Sequence, residues 1–408
     1  MSILNEKRKI LVSCPQRISP ILKEEVSLLG YPVISEQDTF VETLGNLEDA
    51  MRLNLFIRTG HRVLLFLEEF PAANPDALYK GFYGIKWEDF IEKDGYISVS
   101  SYAEHESVKD TRFPNLKAKD AIVDRFRDKF GKRPDSGSER KGVMIYFYWV
   151  KNHCSVFFDT SGVTLTKRNY RKIPFKAPMQ EALAAAVLIA AGWKGEGNFV
   201  NPMCGSGTLA IEAALMGLDK APGLLRSEYA FMHLKGFDRE AWAKIRHEAR
   251  LQGRKSLNGK IIATDISREA IRASIQNAKT AGVDHLIEFK LCDFRDTEIP
   301  MGGGTVLLNP EYGERLGKVA ELEEIYKGIG DFFKKKCLGY KGYVFTGNFD
   351  LAKKIGLRTK RRIPFFNGNI DCRLLEYELY EGSRKPGKGG SEIRENEGKI
   401  DNQEGKEE

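Results

Sequence analysis

Phe199-Val200-Asn201-Pro202-Met203-Cys204-Gly205-Ser206-Gly207-Thr208 decides the reading of the whole chain. Asn198 to Val200 end a strand, and Leu209 to Met216 begin an apolar helix. Between them Gly205 and Gly207 can take positive φ and, having no Cβ, let a ligand lie against backbone at a helix N-terminus. A lone glycine-rich turn is as often an ordinary loop, so its company decides. Lys260 to Thr264 reads as a second strand ending at Asp265, and Leu286 to Leu291 as a third ending at Cys292-Asp293. Gly304 to Leu308 reads as a fourth, ending at Asn309-Pro310-Glu311-Tyr312. Four polar sites at four strand ends describe the crevice where open α/β sheets bind ligands.

Asp265 lies much farther beyond Thr208 than the ~20 residues that follow a nicotinamide-dinucleotide fingerprint, and the turn lacks the G-x-G-x-x-G form. S-adenosylmethionine fits better. Asn201, Pro202, Cys204, Gly205, Ser206, Gly207 and Thr208 are candidates to cradle it. Asp265 would take its ribose and Asp293 its adenine edge, with Ile266 and Phe294 beside them. The plainer alternative makes Asp265 or Ser267 a cap for the helix that begins near Arg268. Cys204 reads as a small apolar filler rather than a nucleophile.

The 408 residues give room for two or three domains, and 42% apolar with 30% charged content describes a globular protein. No apolar run has the length of a signal peptide or a membrane span, which points to the cytoplasm. The six cysteines are scattered without a C-x-x-C pair, so neither a metal site nor a disulfide framework is indicated. A net charge of +7 favours a polyanionic partner. Its cations cluster around Arg125 to Arg133, Lys167 to Lys172 and Lys360 to Arg362, with Tyr170, Phe175, Phe365 and Phe366 interleaved. Basic clusters with aromatic residues suit nucleic acid.

In chain order, residues 1–70 alternate as strand, helix, strand, strand, helix, strand, the order of a ferredoxin-like fold. Residues 71–165 read as a second α+β unit with an amphipathic helix at Leu116 to Phe130 and a hairpin around Lys151-Asn152-His153. Residues 166–180 are basic and carry two prolines, as a hinge would. Residues 181–382 hold the glycine-rich turn and its four strand ends, a fifth strand at Tyr343 to Thr346, and a closing hairpin turning at Gly368-Asn369. Residues 383–408 are charge-rich and nearly free of apolar side chains, so disorder is expected there.

Asn309-Pro310-Glu311-Tyr312 carries the most specific chemistry. An exocyclic base amine is a poor nucleophile because its lone pair is delocalised into the ring. The Asn309 amide oxygen and the Pro310 carbonyl can each accept one N–H, turning the lone pair toward a methyl donor, while Tyr312 stacks on an extruded base. Alone, the tetrapeptide would be a turn and a packed aromatic. Beside the glycine turn, at a matching strand end, the chemical reading prevails.

At these residues the chain resembles the ribosomal RNA large-subunit methyltransferases of the RlmL type. The resemblance runs from about Lys9 to Tyr380, through Lys117 to Asp124, Lys167 to Arg171, Asn201 to Thr208, Lys220 to Gly223 and Asn309 to Leu316. It implies a ferredoxin-like domain, an RNA-holding THUMP domain and a Rossmann-like class I methyltransferase domain. It further implies methylation of guanine N2 in 23S rRNA, or in a large-subunit assembly intermediate, with no membrane and no metal involved. Lys117, Lys119, Arg125, Lys167, Arg168, Tyr170 and Arg171 are the RNA-binding candidates. Long members carry a second methyltransferase, and one methylation activity is expected here.

Three positions depart from the family's pattern. Asn201 stands where Asp is usual, Asn169 replaces a hinge glycine, and Glu311 replaces the second proline of N-P-P-Y. Glu311 either faces outward or lies near the amine and takes its proton. Rival functions are an adenine-N6 nucleic-acid methyltransferase and an RNA-binding ribosome-assembly factor without catalysis.

Overall fold

A run of three buried apolar residues in the first strand, Ile10-Leu11-Val12, and a reciprocal cap between Asn46 and Asp49 start the N-terminal half of this computed structural model. The structure describes residues 3–110, 112–175, 179–312 and 319–380. The expected disordered tail over 383–408, residues 176–178 of the expected hinge, and residues 313–316 of the Asn309 to Leu316 stretch lie outside the described residues.

The ferredoxin-like unit comprises β1 (Arg8–Ser13), α1 (Ser19–Leu28), β2 (Ser35–Gln37), β3 (Phe40–Gly45), α2 (Leu47–Phe56) and β4 (Arg62–Pro71). The second unit comprises α3 (Pro75–Gly84), β5 (Tyr96–Glu104), α4 (Arg112–Phe130), β6 (Asp135–Ser136), β7 (Val143–Val150) and β8 (His153–Asp159). These units, read separately from the sequence, share one eight-stranded sheet of order β2-β3-β1-β4-β8-β7-β5-β6. The seam is the antiparallel pairing of β4 with β8, which runs from Leu64↔Asp159 to Pro71↔His153 across a bulge between Phe66 and Glu68.

The C-terminal half comprises α5 (Glu181–Ala190), β9 (Asn198–Pro202), α6 (Thr208–Gly217), α7 (Arg239–Gln252), β10 (Ile261–Asp265), α8 (Arg268–Ala281) and β11 (Ile287–Leu291). It continues with β12 (Gly304–Leu308), α9 (Val319–Lys336), β13 (Tyr340–Thr346), α10 (Phe349–Lys354), β14 (Arg361–Asn367) and β15 (Ile370–Glu378). The sheet order is β11-β10-β9-β12-β13-β15-β14, with the first five strands parallel and the β14–β15 hairpin antiparallel. This is the Rossmann-like architecture expected from the sequence. Strand order reverses between β9 and β12, and that reversal opens the crevice. No helix among the described residues is long and apolar enough to cross a membrane.

The two halves meet along the segment after β8. Arg226 reaches from the C-terminal half to the carbonyls of Ser161 (3.1 Å), Val163 (2.7 Å) and Thr164 (3.0 Å). His61 sits in the same seam: its N–H donates to Ser13 O (2.6 Å) and its carbonyl accepts from Leu165 N (2.8 Å). Burial, with Arg62 adjacent, lowers the His61 imidazole from 6.5 to about 4. The ring therefore folds neutral, whereas the unfolded chain binds a proton below pH ~6.5. Its stability contribution is present above that value and is lost as pH falls toward the folded value, on the order of 2 kcal/mol by pH 5. Urea midpoints at pH 7 and pH 5 should therefore fall less for His61→Gln than for the unsubstituted protein, and an equal fall in both would assign the acid sensitivity elsewhere.

Candidate active site

The glycine turn is a left-handed bend that only part of its residues can adopt without strain. Met203, Gly205 and Gly207 have φ of 57°, 56° and 80°. The two glycines serve different ends. A Cβ on Gly207 would lie 2.7 Å from Ser274 Cβ, so this glycine lets α6 start against α8. A Cβ on Gly205 would meet nothing within 4 Å, which leaves open space against its backbone. Asp265 clips the turn to β10: its Oδ2 accepts from Gly205 N (2.9 Å) and its Oδ1 from Ser267 N (2.9 Å). Ser267 caps α8 through Ala270 N, so of the two cap candidates Ser267 is the one that caps the helix.

Asn201 lies where the sheet opens. The β9–β12 ladder ends at Val200↔Val306, and one residue on, Asn201 Nδ2 donates to Leu307 O (2.8 Å). The side chain is fully buried and its Oδ1 has no hydrogen-bond partner among the described residues. Of the other cradle candidates, Pro202, Cys204, Ser206 and Thr208 are buried. Burial pushes the Cys204 thiol up, as suits a filler. Ile266 is 73% exposed beside Asp265, a large apolar side chain held out at a strand end. Asp293 caps the turn after β11 through Arg295 N (2.9 Å) and pairs with Arg295 Nη1 (3.1 Å). The Phe294 ring is buried against Phe332, so its side chain belongs to the core.

At the end of β12, Tyr312 is fixed from several sides. Its hydroxyl donates to Asn309 Oδ1 (3.3 Å) and accepts from Asn367 Nδ2 (3.0 Å), while its carbonyl accepts from Asn348 Nδ2 (3.2 Å). Gly347 makes room for Ile370 and for the ring, since a Cβ there would stand 2.7 Å from Ile370 Cγ2 and 3.3 Å from Tyr312 Cδ2. Burial raises the phenol, which stays protonated. Pro310 is buried, Asn309 half-buried and Glu311 exposed, with the Glu311 carbonyl 3.5 Å from the Tyr326 hydroxyl. Gly347, Asn348 and Asn367 escaped the sequence reading. Thr346-Gly347-Asn348 follows the fifth strand just as polar residues follow the first four, and extending the strand-end argument by one strand would have found two of them.

The RNA-binding candidates need correction. Arg168 and Tyr170 are each 1% exposed. Arg168 faces Glu212 (3.4 Å) and donates to the carbonyls of Leu165 (2.7 Å) and Arg58, and the Tyr170 hydroxyl donates to Glu212 (3.1 Å). Arg171 is committed to Met179 O (2.5 Å), Thr208 Oγ1 (3.1 Å) and Glu181 (3.3 Å). Arg125 forks onto Glu88 through Nε (2.8 Å) and Nη2 (2.6 Å), holding that carboxyl down to about 2. Buried guanidinium groups must be paired, and here the chain's own carboxylates and carbonyls pair them. The basic linker is a strap whose Arg168, Tyr170 and Arg171 turn inward while Lys167 and Lys172 stay exposed. Lys117 pairs with Asp76 (3.4 Å) and Lys119 with Asp120 (2.7 Å) at the surface, and Lys167 is exposed. Among the described residues no group of three His, Cys, Asp or Glu is placed to hold a metal ion.

The Asn201 geometry separates amide from carboxylate. Asn201→Asp replaces the donor to Leu307 O with a buried anion facing that carbonyl, at a cost of about 3 kcal/mol. A lowered urea midpoint at unchanged slope is the expected result, and an unchanged midpoint would show that the amide donor is dispensable.

Three family models cover the chain. Residues 168–376 match the RMKL-like methyltransferase domain, 9–64 the RlmL ferredoxin-like domain and 72–159 the THUMP domain. The ribosomal RNA large subunit methyltransferase K/L of Syntrophotalea carbinolica is 37% identical over 91% of this chain and 54% of its own length. The chain thus spans about half of that relative. A Synechocystis protein is 32% identical over 91% of this chain and 97% of its own. A Listeria monocytogenes structure, titled a predicted N6-adenine-specific DNA methylase, superimposes with a TM-score of 0.81 at 27% identity, over 91% of this chain and 96% of its own. With all three segments matched in order, the chain belongs to the RMKL-like methyltransferase family, its methyltransferase domain preceded by an RlmL-type ferredoxin-like domain and a THUMP domain.

Proposed function

We propose that the crevice at the ends of β9 to β12 binds S-adenosylmethionine and that the chain methylates the exocyclic N2 amine of a guanine in 23S rRNA. The substrate is the RNA itself or a large-subunit assembly intermediate, and the work is done in the cytoplasm. The carrying observation is Asn309 Oδ1, half-buried at the end of β12 beside an anchored Tyr312, in the crevice opened by Asn201. The K/L name of the Syntrophotalea relative supports the choice of 23S rRNA.

The residues present fit the cofactor. Open space against Gly205 suits a ligand lying on backbone, the unpartnered Asn201 Oδ1 suits the methionyl ammonium, and Asp265 keeps further acceptor capacity for ribose hydroxyls. The exposed Ile266 offers an apolar surface for the adenine. When bound, the cofactor supplies an electrophilic methyl group. Asn309 Oδ1 and the Pro310 carbonyl accept the two N–H groups of the amine, which turns its lone pair out of conjugation and fixes its direction. Tyr312 holds Asn309 in register and offers a ring to the extruded base. The amine proton can leave after transfer, so no strong base is required beforehand.

Adenine N6 is the second reading, because it presents a similar amine and the Listeria neighbour is titled for it. Mass spectrometry of 23S rRNA nucleosides from a deletion strain separates the two. Loss of N2-methylguanosine at one position, restored by the intact gene but not by Asn309→Ala, is the expected result. Unchanged N2-methylguanosine with loss of N6-methyladenosine would select the second reading, and no change in either would select the binding factor without catalysis.

The outward-facing role fits the exposed Glu311. Glu311→Gln and Glu311→Pro should both keep the unsubstituted single-turnover rate across pH. A pH-dependent loss in both would make this carboxylate the proton acceptor.

A further inference from the structure

Arg125, Arg168, Tyr170 and Arg171 are engaged internally, which turns attention to the other exposed surfaces of the N-terminal half. One face of the eight-stranded sheet packs the helices: Ile10, Val63, Leu65, Ile145, Phe147 and Val156 share a core with residues of α1 to α4. The opposite face has a cluster made of strand residues alone, with Leu11, Leu64 and Phe157 buried and Phe40, Phe66, Tyr146 and Tyr148 partly exposed. Its rings form a connected run. Centroids lie 5.6 Å apart for Phe66 and Phe157, 5.9 Å for Phe157 and Tyr148, 5.2 Å for Tyr148 and Tyr146, and 6.2 Å for Tyr148 and Tyr102. Tyr102 is 50% exposed, and Lys9 Nζ stands 5.6 Å from the Phe66 ring centre. Acids stand on this face as well: Asp159 is paired with Arg62, Glu42 lies 3.9 Å from Lys9 Nζ, Glu104 accepts from the Tyr102 hydroxyl (3.2 Å), and Glu69 lies opposite Ser155 beside Tyr148.

Two clefts lead away from these rings. The first, about 340 Å³, is lined by Tyr146, Tyr148, Arg62, Thr166, His61 and Gln180. The second, about 390 Å³, is lined by His61 and Gln180 again, then by Gln16, Phe366, Asn367 and Asn369. His61 and Gln180 stand in the walls of both, so the two clefts lie side by side. The path ends at Asn367, whose Nδ2 donates to the Tyr312 hydroxyl (3.0 Å), and that hydroxyl donates to Asn309 Oδ1 (3.3 Å). Arg17 holds the far wall. Its backbone sits at φ 67°, its Cζ lies 4.0 Å from the Phe366 ring centre, and its guanidinium pairs with Asp371. An arginine kept in a left-handed conformation to reach across the seam fixes the β14–β15 turn against the N-terminal half.

The lining selects the occupant. Amides, hydroxyls, a neutral imidazole and aromatic rings suit the edges and faces of unpaired bases, whereas a duplex is met through shape, phosphates and 2′-hydroxyls. Each cleft has the size of a small-ligand pocket, which matches a nucleotide rather than a helix. We infer that the two neighbouring clefts are the track of a single-stranded RNA segment adjoining the target base, running from the helix-free sheet face to the β14–β15 turn. This inference rests on the RNA-methylation reading above.

The test uses the full chain with a thiouridine-substituted single-stranded oligoribonucleotide, and with the same strand annealed to its complement. Both are photo-crosslinked and mapped by peptide mass spectrometry. Crosslinks at Tyr146, Tyr148, His61 or residues 366–369 with the single strand, and weaker ones with the duplex, are expected. Methyl transfer to 23S rRNA is followed in parallel for Tyr146→Leu/Tyr148→Leu and, in case that pair fails to fold, for Gln180→Ala. KM for RNA should rise about tenfold or more in the double variant, with kcat and S-adenosylmethionine affinity unchanged. Gln180→Ala should raise KM in the same direction, again without touching kcat. Methyl transfer accompanied by crosslinks confined to other surfaces, by none at all, or by an unchanged KM in the folded variants, would overturn the track alone. Crosslinks on the track without methyl transfer to any RNA would keep the track and overturn the methylation reading.

Discussion

A guanidinium and a carboxylate out of water hold the two halves of this protein in one arrangement. Arg168 is 1% exposed and Glu212 fully buried, 3.4 Å apart, with the Tyr170 hydroxyl on the same carboxylate. Glu212 belongs to α6, the helix that begins at the glycine turn, and Arg168 belongs to the strap after β8. One carboxylate thus ties the strap to the helix that positions the crevice. Deleting either partner would leave the other charged and buried, a loss of roughly 3–5 kcal/mol. Around this pair the strap spends its remaining donors on backbone. Arg168 reaches Leu165 and Arg58, Arg171 reaches Met179, and Asn277 of α8 both accepts from and donates to the chain at Ile173.

The site divides its work between residues that face the ligand space and residues that shape it. Gly207 and Ser274 let two helices approach, Asp265 ties the turn to the neighbouring strand, and Asn201 bridges the parting of β9 and β12. Gly205 has free space beside its backbone, Ile266 is exposed and Asn309 is half-buried. Sequence spacing cannot tell these classes apart, because both need small or polar residues at strand ends. Only the partner of each polar atom separates them.

Legibility followed the range of the interaction. The glycine turn, the four strand ends and the Gly368-Asn369 hairpin were readable because each rests on conformations or alternations within a few residues. Arg168, Tyr170 and Arg171 of the basic strap were misread as an RNA surface because the partners that engage them lie far along the chain, whereas Lys167 is exposed. One clue was present: Glu212 is the lone charge in the run Thr208 to Gly217, and a carboxylate inside an apolar helix requires a buried cation somewhere. The pairing of β4 with β8 left no local trace, since Leu64 and Asp159 are joined only by the fold. Asn367 was hidden for the same reason, its link to Tyr312 crossing from the hairpin to the end of β12.

That pairing of β4 with β8 also has a consequence for how the chain is made. When Pro71 leaves the ribosome, β4 has β1 on one side and nothing on the other. Its open edge carries Val63, Leu64, Leu65, Phe66 and Leu67, a template for pairing with any extended segment nearby. It stays open until His153 to Asp159 emerge, and contacts of such long sequence separation form slowly. The ferredoxin-like unit can gain its helices early, but its sheet is complete only after the second unit has been synthesised. Until the second unit has been synthesised, β4 is therefore a central strand that lacks one of its two partners.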